Sequence, residues 1–360
     1  MNVLVTGSSG LIGSEAVAFF DRMGFRVIGV DNNMRADFFG EKGDTTANLR
    51  RLQKVCARFE HVGLDIRDRA GVDRLFKKEP IELVVHAAAQ PSHDLAAKRV
   101  FDDFEVNAVG TLNLLEACRV RRPDAVFIHV STNKVYGDAP NHLPLVELET
   151  RYDYAHPALG EGIDESLTID QSTHSLFGVS KASGDLLAQE FGRYFGLRTG
   201  VFRGGCLTGP QHAGVELHGF LNYLVKCAVE EKPYTVFGYK GKQVRDQIHC
   251  HDVVNAFWTF AQNPRPGEVY NLGGGRHNAA SLIECIELIQ QRTGRRPRLS
   301  YSPTNRVGDH ICYYTNMAKF RAHYPGWRQH YSLPMIVDEM VSVAAAPQPQ
   351  RSRRALHRVA

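Results

Sequence analysis

Three glycines, Gly7, Gly10 and Gly13, follow the apolar run of "NVLVTG" with the spacing G-x-x-G-x-x-G, and Asp31 closes the next apolar run, "VIGVD". Glycine at a strand-to-helix turn lets an anion approach the free N–H groups of a helix start, where the peptide dipoles favour negative charge. An acidic side chain about 20 residues further on accepts hydrogen bonds from the two hydroxyls of an adenosine ribose and repels a 2′-phosphate. With Ser9, Leu11 and Ile12 in the turn and Asn32, Asn33 and Arg35 after Asp31, these residues describe a dinucleotide site that prefers NAD to NADP. "GLDIRD" offers Asp65 and Ile66 to flank an adenine. "HAAAQ" brings Ala87, Ala88, Ala89 and Gln90 to a strand end where a ligand passes close to backbone, and Asn107 is assigned to the same site.

A second constellation concerns proton transfer. A serine or threonine at a strand end, followed by Y-x-x-x-K on a helix, is a device for deprotonating an alcohol beside a nicotinamide. Thr132 closes "AVFIHVST" and Lys181 ends "FGVSK", but Phe177 stands where the phenol belongs. Helical i, i+4 spacing puts Phe177 and Lys181 on one face. A phenyl ring transfers no proton, and losing a general acid/base costs roughly 100- to 10,000-fold in rate. The replacement expected first is Lys134, two residues beyond Thr132, whose pKa falls if it is partly desolvated. Cys206 in "RGGCLTG" comes second, as a thiol at the end of another strand. His174, Ser175 and Tyr154 come third, while His93 in "QPSHD" and Asn133 are expected to face the substrate.

Continuous apolar strands alternate with amphipathic segments from "NVLVTG" to "RTGVFRGG", the pattern of crossover units on a parallel sheet covered on both faces. The expected fold is therefore α/β, a Rossmann-like doubly wound sheet over residues 1–203, with strands near 244–273 returning to it. Residues 204–243 and 274–340, with helices around 216–231 and 280–294, form a smaller mixed substrate-binding lobe. The long polar stretch 138–172 is placed over the mouth of the site. Residues 341–360 form a disordered basic tail, since Arg351, Arg353, Arg354 and Arg358 carry a charge equal to the whole net of +4. That placement leaves the body about neutral and argues against nucleic acid as a partner. Seven cysteines without a C-x-x-C pair point to no disulfide framework and no metal site. With no apolar run of membrane-spanning length and a first strand at the very start, a cytoplasmic location is expected.

These residues, taken with "DNNMR", "STNKVYGD", "ETRY", "DES" and "GKQVRDQIHCHD", resemble the extended short-chain dehydrogenase/reductase family, the nucleotide-sugar epimerases and dehydratases. The resemblance covers roughly residues 1–335. It implies NAD as a temporary hydride store, a nucleotide-diphosphate sugar as substrate, and Arg245 and Arg306 as the diphosphate's partners. It implies that Thr132 holds the reacting oxygen and that Lys181 holds the ribose and lowers the pKa of a tyrosine that this chain lacks. Dehydration by the family needs an Asp-Glu pair where Asn133 and Lys134 stand. Epimerisation, most specifically at carbon 2 of a CDP-linked deoxysugar, is the implied activity, with a catalytically silent binder as the rival. "NAVGTLNLLEA" and "KASGDLLAQEFGRYF" are the helices that pair across a two-fold axis in the family, which implies a homodimer.

Overall fold

The computed structural model describes residues 1–210, 219–305 and 308–346. Its centre is a parallel sheet of β1 (Asn2–Thr6), β2 (Arg26–Val30), β3 (Phe59–Val62), β4 (Leu83–His86), β5 (Val126–Thr132), β6 (Arg198–Gly204) and β7 (Glu268–Leu272). The spatial order is β7-β6-β5-β4-β1-β2-β3. Val3, Leu4 and Val5 of β1 are fully buried because the strand is central and covered on both faces, which explains its unbroken apolar run. On one face, Val3 and Val5 pack with Ala16, Val17 and Phe20 of the helix Leu11–Arg22 and with Val253 and Phe257 of the helix Cys250–Gln262. On the other, Leu4 packs with Phe76, Leu114, Leu115, Ala188 and Phe191 from three further helices. The strand order reverses between β1 and β4, which opens a crevice at their carboxyl ends.

Only Glu268–Leu272 of the stretch 244–273 joins this sheet, beside β6. Val244–His249 instead organises a small separate sheet with Cys206–Thr208, Ala279–Ser281 and Cys312–Tyr313. The remaining lobe is a cluster of the helices Phe220–Val229, Leu282–Thr293 and Leu333–Ala345 against the paired strands Pro233–Phe237 and Arg298–Ser302. The last of these helices runs five residues into the expected tail, because Ile336, Val337 and Met340 bury one face against the lobe. The arginines of the tail lie outside the described residues.

The stretch 138–172 does not cover the mouth of the crevice. It is a strap between sheet and lobe: Arg151 Nε donates to Glu284 at 2.8 Å, the Tyr154 hydroxyl to the Cys312 carbonyl at 2.9 Å, and Asn271 N–H on β7 to the Glu165 carboxylate at 2.6 Å. Part of its polarity goes into these cross-links.

Candidate active site

A single cavity of about 920 Å³ runs from the glycine turn across the carboxyl ends of the central strands and into the lobe. At its nucleotide end Gly7 has φ +66°, and a Cβ there would stand 2.8 Å from the Ala88 nitrogen. A Cβ on Gly13 would fall on the Gly7 carbonyl oxygen, so both positions require glycine. Gly10 meets nothing closer than 3.3 Å and faces open space beside Leu11 and Ile12. The Ser9 hydroxyl is buried with no hydrogen-bond partner among the described residues, in a wall it shares with Ala87, Ala88 and Ala89. An orphaned hydroxyl and a cradle free of side chains fit the pyrophosphate of a dinucleotide.

The Asp31 carboxylate accepts the N–H groups of Ser9 at 2.9 Å and Asn33 at 2.8 Å, locking turn and strand end together. Asn33 itself stands behind the wall: with φ +56° its side chain carbonyl accepts from Thr45, which builds the loop instead of touching a ligand. Asn32, Arg35, Asp65 and Ile66 do line the cavity. Burial pulls the Arg35 guanidinium pKa below its ordinary value. Asn48 and Arg51 also line this end, and Asn48 donates to the Ser9 carbonyl at 2.8 Å. They escaped sequence reading because the polar helix Thr46–Val55 carries no motif.

Gln90 and Asn107 are likewise behind the wall. Asn107 sits in a π-helical turn, Glu105–Val109, accepts the Gln90 N–H at 2.9 Å and donates to the Ser180 hydroxyl at 3.0 Å. The turn frees the Asn107 carbonyl, which Thr111 satisfies at 2.7 Å. The pair thus ties the end of β4 to the helix Ser175–Phe195, one residue from Lys181.

At the chemical end the cavity brings Thr132, Asn133, Lys134, Phe177, Lys181 and Cys206 together. Lys181 Nζ donates to the Val130 carbonyl at 2.8 Å, and burial lowers its pKa to about 8 against the opposing pull of Asp185 and Asp103. Thr132 Oγ1 accepts the Lys134 N–H at 3.2 Å. Phe177 is buried one helical turn before Lys181, and its ring meets His93 edge-on at 4.8 Å. Lys134 is engaged by protein groups: its Nζ donates to the Gly308 carbonyl at 2.7 Å and lies 4.0 Å from the Asp309 carboxylate. Burial pushes the Cys206 thiol up to about 11, so it stays protonated. His174 and Tyr154 are off the cavity, bonded to the Ser172 and Cys312 carbonyls, and Ser175 reaches it only through His93.

In the lobe wall Arg245 lies 3.9 Å from the same Asp309 oxygen. Two residues on, and so on the same strand face, Gln247 is buried with neither amide atom bonded among the described residues. Arg306 lies outside the described residues. Arg276 of "GGRHN" is paired with Asp153 at 2.8 Å in the strap.

Residues 3–273 match the NAD dependent epimerase/dehydratase family. The chain belongs to that family. It is 36% identical over 297 residues to a CDP-paratose 2-epimerase of Salmonella typhi, covering 81% of this chain and 84% of that protein. A dTDP-glucose 4,6-dehydratase of Neisseria meningitidis is 31% identical over 299 residues, covering 80% of this chain and 74% of that one. The UDP-glucose 4-epimerase of Thermus thermophilus, solved with NAD, superposes with a TM-score of 0.77 at 26% identity, over 96% of this chain and 99% of that one. NAD is the family's cofactor, and the glycine cradle and orphaned Ser9 hydroxyl fit it. No group of three or more His, Cys, Asp or Glu side chains among the described residues is arranged to hold a metal ion.

Proposed function

We propose that this chain epimerises a nucleotide-diphosphate sugar, in the manner of a CDP-paratose 2-epimerase. The observation that carries this reading is the continuity of one cavity from the glycine turn, past Thr132 and Lys181, to Arg245. Gly7, Ser9, Gly10 and Gly13 would hold the pyrophosphate of NAD, Asp31 its adenosine ribose, Asp65 and Ile66 its adenine, and Lys181 its nicotinamide ribose. NAD supplies a reversible hydride acceptor. Thr132 holds the reacting sugar oxygen by its hydroxyl, and Arg245 offers a guanidinium fork to the substrate's diphosphate.

Epimerisation is favoured over dehydration because the wall beside Thr132 holds an amide and an ammonium, Asn133 and Lys134, and neither removes a proton from carbon as a carboxylate does. The competing reading, a silent binder, is favoured by Phe177 alone. Turnover of a panel of CDP-, UDP-, dTDP- and GDP-sugars, followed by proton NMR in heavy water, decides between them. An inverted product that keeps its original hydrogen at the reacting carbon is expected; binding of NAD and nucleotide sugars without turnover would sink the epimerase.

The homodimer is proposed on an exposed apolar stripe. Phe101 (83% exposed), Phe104 and Leu112 lie beside Leu176, Val179 and Leu186 of the helix packed against them. Contiguous apolar surface of this kind marks an association face. Phe101→Asp should convert a dimer to a monomer in sedimentation; a parent protein that sediments as a monomer overturns it. Among the described residues no helix is long and apolar enough to cross a membrane, and all seven cysteines are free thiols, which supports a cytoplasmic setting.

A further inference from the structure

Besides Ser9, a second polar side chain of the cavity wall is buried with nothing to bind. Gln247 is fully buried on the strand Val244–His249, and neither its Nε2 nor its Oε1 has a hydrogen-bond partner among the described residues. Its cross-strand neighbour Cys206 offers the carboxamide only a thiol, whose hydrogen bonds are weak. A buried polar group without a partner costs the folded chain stability, so the amide points to a partner that the protein itself does not supply.

The strand ladders fix where along the cavity that partner lies. Thr132 pairs with Gly204 at the reacting end, and two residues on, Cys206 pairs with Gln247. Arg245, two residues before Gln247, shares its strand face and stands roughly 6.5 Å back along the strand. Beyond Gln247 the strand leads to Cys250, which meets Leu11 of the glycine turn around Gly209. Gln247 therefore stands between the arginine assigned to the diphosphate and the threonine assigned to the reacting oxygen, where the sugar ring itself must lie. The backbone there is pinned. The Gln247 carbonyl accepts Asn278 Nδ2 at 3.2 Å, and the Asp246 carboxylate, on the opposite strand face, accepts the N–H groups of Gly275 and Thr315, each at 3.0 Å.

We propose that Gln247 positions the sugar of the nucleotide sugar and sets which sugars the site accepts, its carboxamide exchanging hydrogen bonds with a ring hydroxyl other than the reacting one. The inference rests on the nucleotide-sugar reading of the cavity. A carboxamide donates through Nε2 and accepts through Oε1, so it satisfies a neutral hydroxyl in either sense, whereas a methylene in the same place leaves both amide atoms orphaned. Such a site discriminates against absence: a deoxy analogue is rejected because the buried amide loses its partner.

The test compares the full chain with its Gln247→Met variant, which keeps the side chain's length and loses both polar atoms. The probes are the tightest-binding sugar nucleotide of the turnover panel and the matching nucleoside diphosphate. Calorimetric affinity for the sugar nucleotide should fall about 5- to 150-fold, while affinity for the nucleoside diphosphate is unchanged. The Tm of the ligand-free protein should hold or rise, because the substitution removes two orphaned atoms and no native hydrogen bond. Among mono-deoxy analogues of the sugar, one should be rejected by the parent and bound by Gln247→Met as tightly as the full sugar is. Equal affinity of the two proteins for the sugar nucleotide overturns the inference. So does an equal loss for sugar nucleotide and nucleoside diphosphate, which would set the amide against the nucleotide. A lowered Tm with both ligands weakened makes Gln247 structural and overturns it too. A parent that binds no nucleotide sugar defeats both this inference and the epimerase; a parent that binds them without turnover, yet shows the affinity pattern above, sinks the epimerase and upholds the inference.

Discussion

Lys181 turns the pH dependence of stability into a measure of how deeply the site buries its cation. Burial moves its pKa from the ordinary 10.5 to about 8, although Asp185 and Asp103 pull the other way. The difference of about 2.5 units, at ~1.4 kcal/mol per unit, amounts to about 3 kcal/mol. Below pH 8 both folded and unfolded chains carry the proton, and the folded state bears the whole desolvation penalty. Between about pH 8 and 10.5 the unfolded chain binds more protons, so stability rises with pH as the penalty is relieved. Lys181→Met removes this titration, and the other groups that feel its charge, His86, His129 and Asp103, are an imidazole pair held low and a carboxyl. Urea unfolding of parent and Lys181→Met at a series of pH values should therefore give a stability difference that shifts in the parent's favour by roughly 2–3 kcal/mol across that window. Losing the hydrogen bond to the Val130 carbonyl changes the offset between the two proteins, not the slope. A difference that is flat with pH would refute the reasoning, because it would mean the ammonium is as well solvated when folded as when unfolded. The same titration predicts that NAD affinity falls as pH rises through about 8, since the ribose then loses its charged partner.

Gly13→Ala should abolish NAD binding by calorimetry, because its Cβ falls on the Gly7 carbonyl and the turn must open; binding within about tenfold of the parent would contradict that close approach. Asp185→Ala leaves the buried Arg203 guanidinium without the carboxylate that its Nη2 meets at 2.9 Å, at a cost of about 3–5 kcal/mol. At ~2.1 cal/mol/K per residue over 360 residues, calorimetric Tm should drop by roughly 4–7 °C. Asp31→Ala should cost NAD about 10- to 150-fold in affinity while NADP, met by Arg35 in the same wall, loses far less; an unchanged ratio of the two in a competition assay would remove Asp31 from the ribose.

The parallel sheet was legible because central strands such as β1 and β4 are apolar runs and crossover helices such as Leu11–Arg22 and Arg69–Lys78 bury one face. That Gly7, Gly13, Asp31, Thr132 and Lys181 share one cavity was legible, because local spacing at strand ends and along the helix Ser175–Phe195 sets where they stand. What escaped was long-range pairing. Val244–His249 reads like another strand of the main sheet, and only its partners at Cys206–Thr208 and Ala279–Ser281 place it elsewhere. Asn33, Gln90 and Asn107 carry side chains suited to a ligand, yet each is saturated by protein: Asn33 by Thr45 and Asp44, and Gln90 and Asn107 by one another. A polar residue near a site in sequence holds either the ligand or the residue that holds it, and periodicity does not separate the two.

Phe177 shows why a site of this kind can lose its phenol and keep its geometry. The helix start is positioned by contacts that do not involve a hydroxyl at 177: a Cβ on Gly178 would stand 2.8 Å from the Lys134 carbonyl, and Ser180 Oγ donates to Asp103 at 2.6 Å. With Lys181 also fixed through Val130, removing one oxygen from residue 177 moves nothing else. His93 and Ser175 are 82 residues apart, so no local spacing announces them; they meet because the end of β4 and the start of the helix Ser175–Phe195 flank the same crevice.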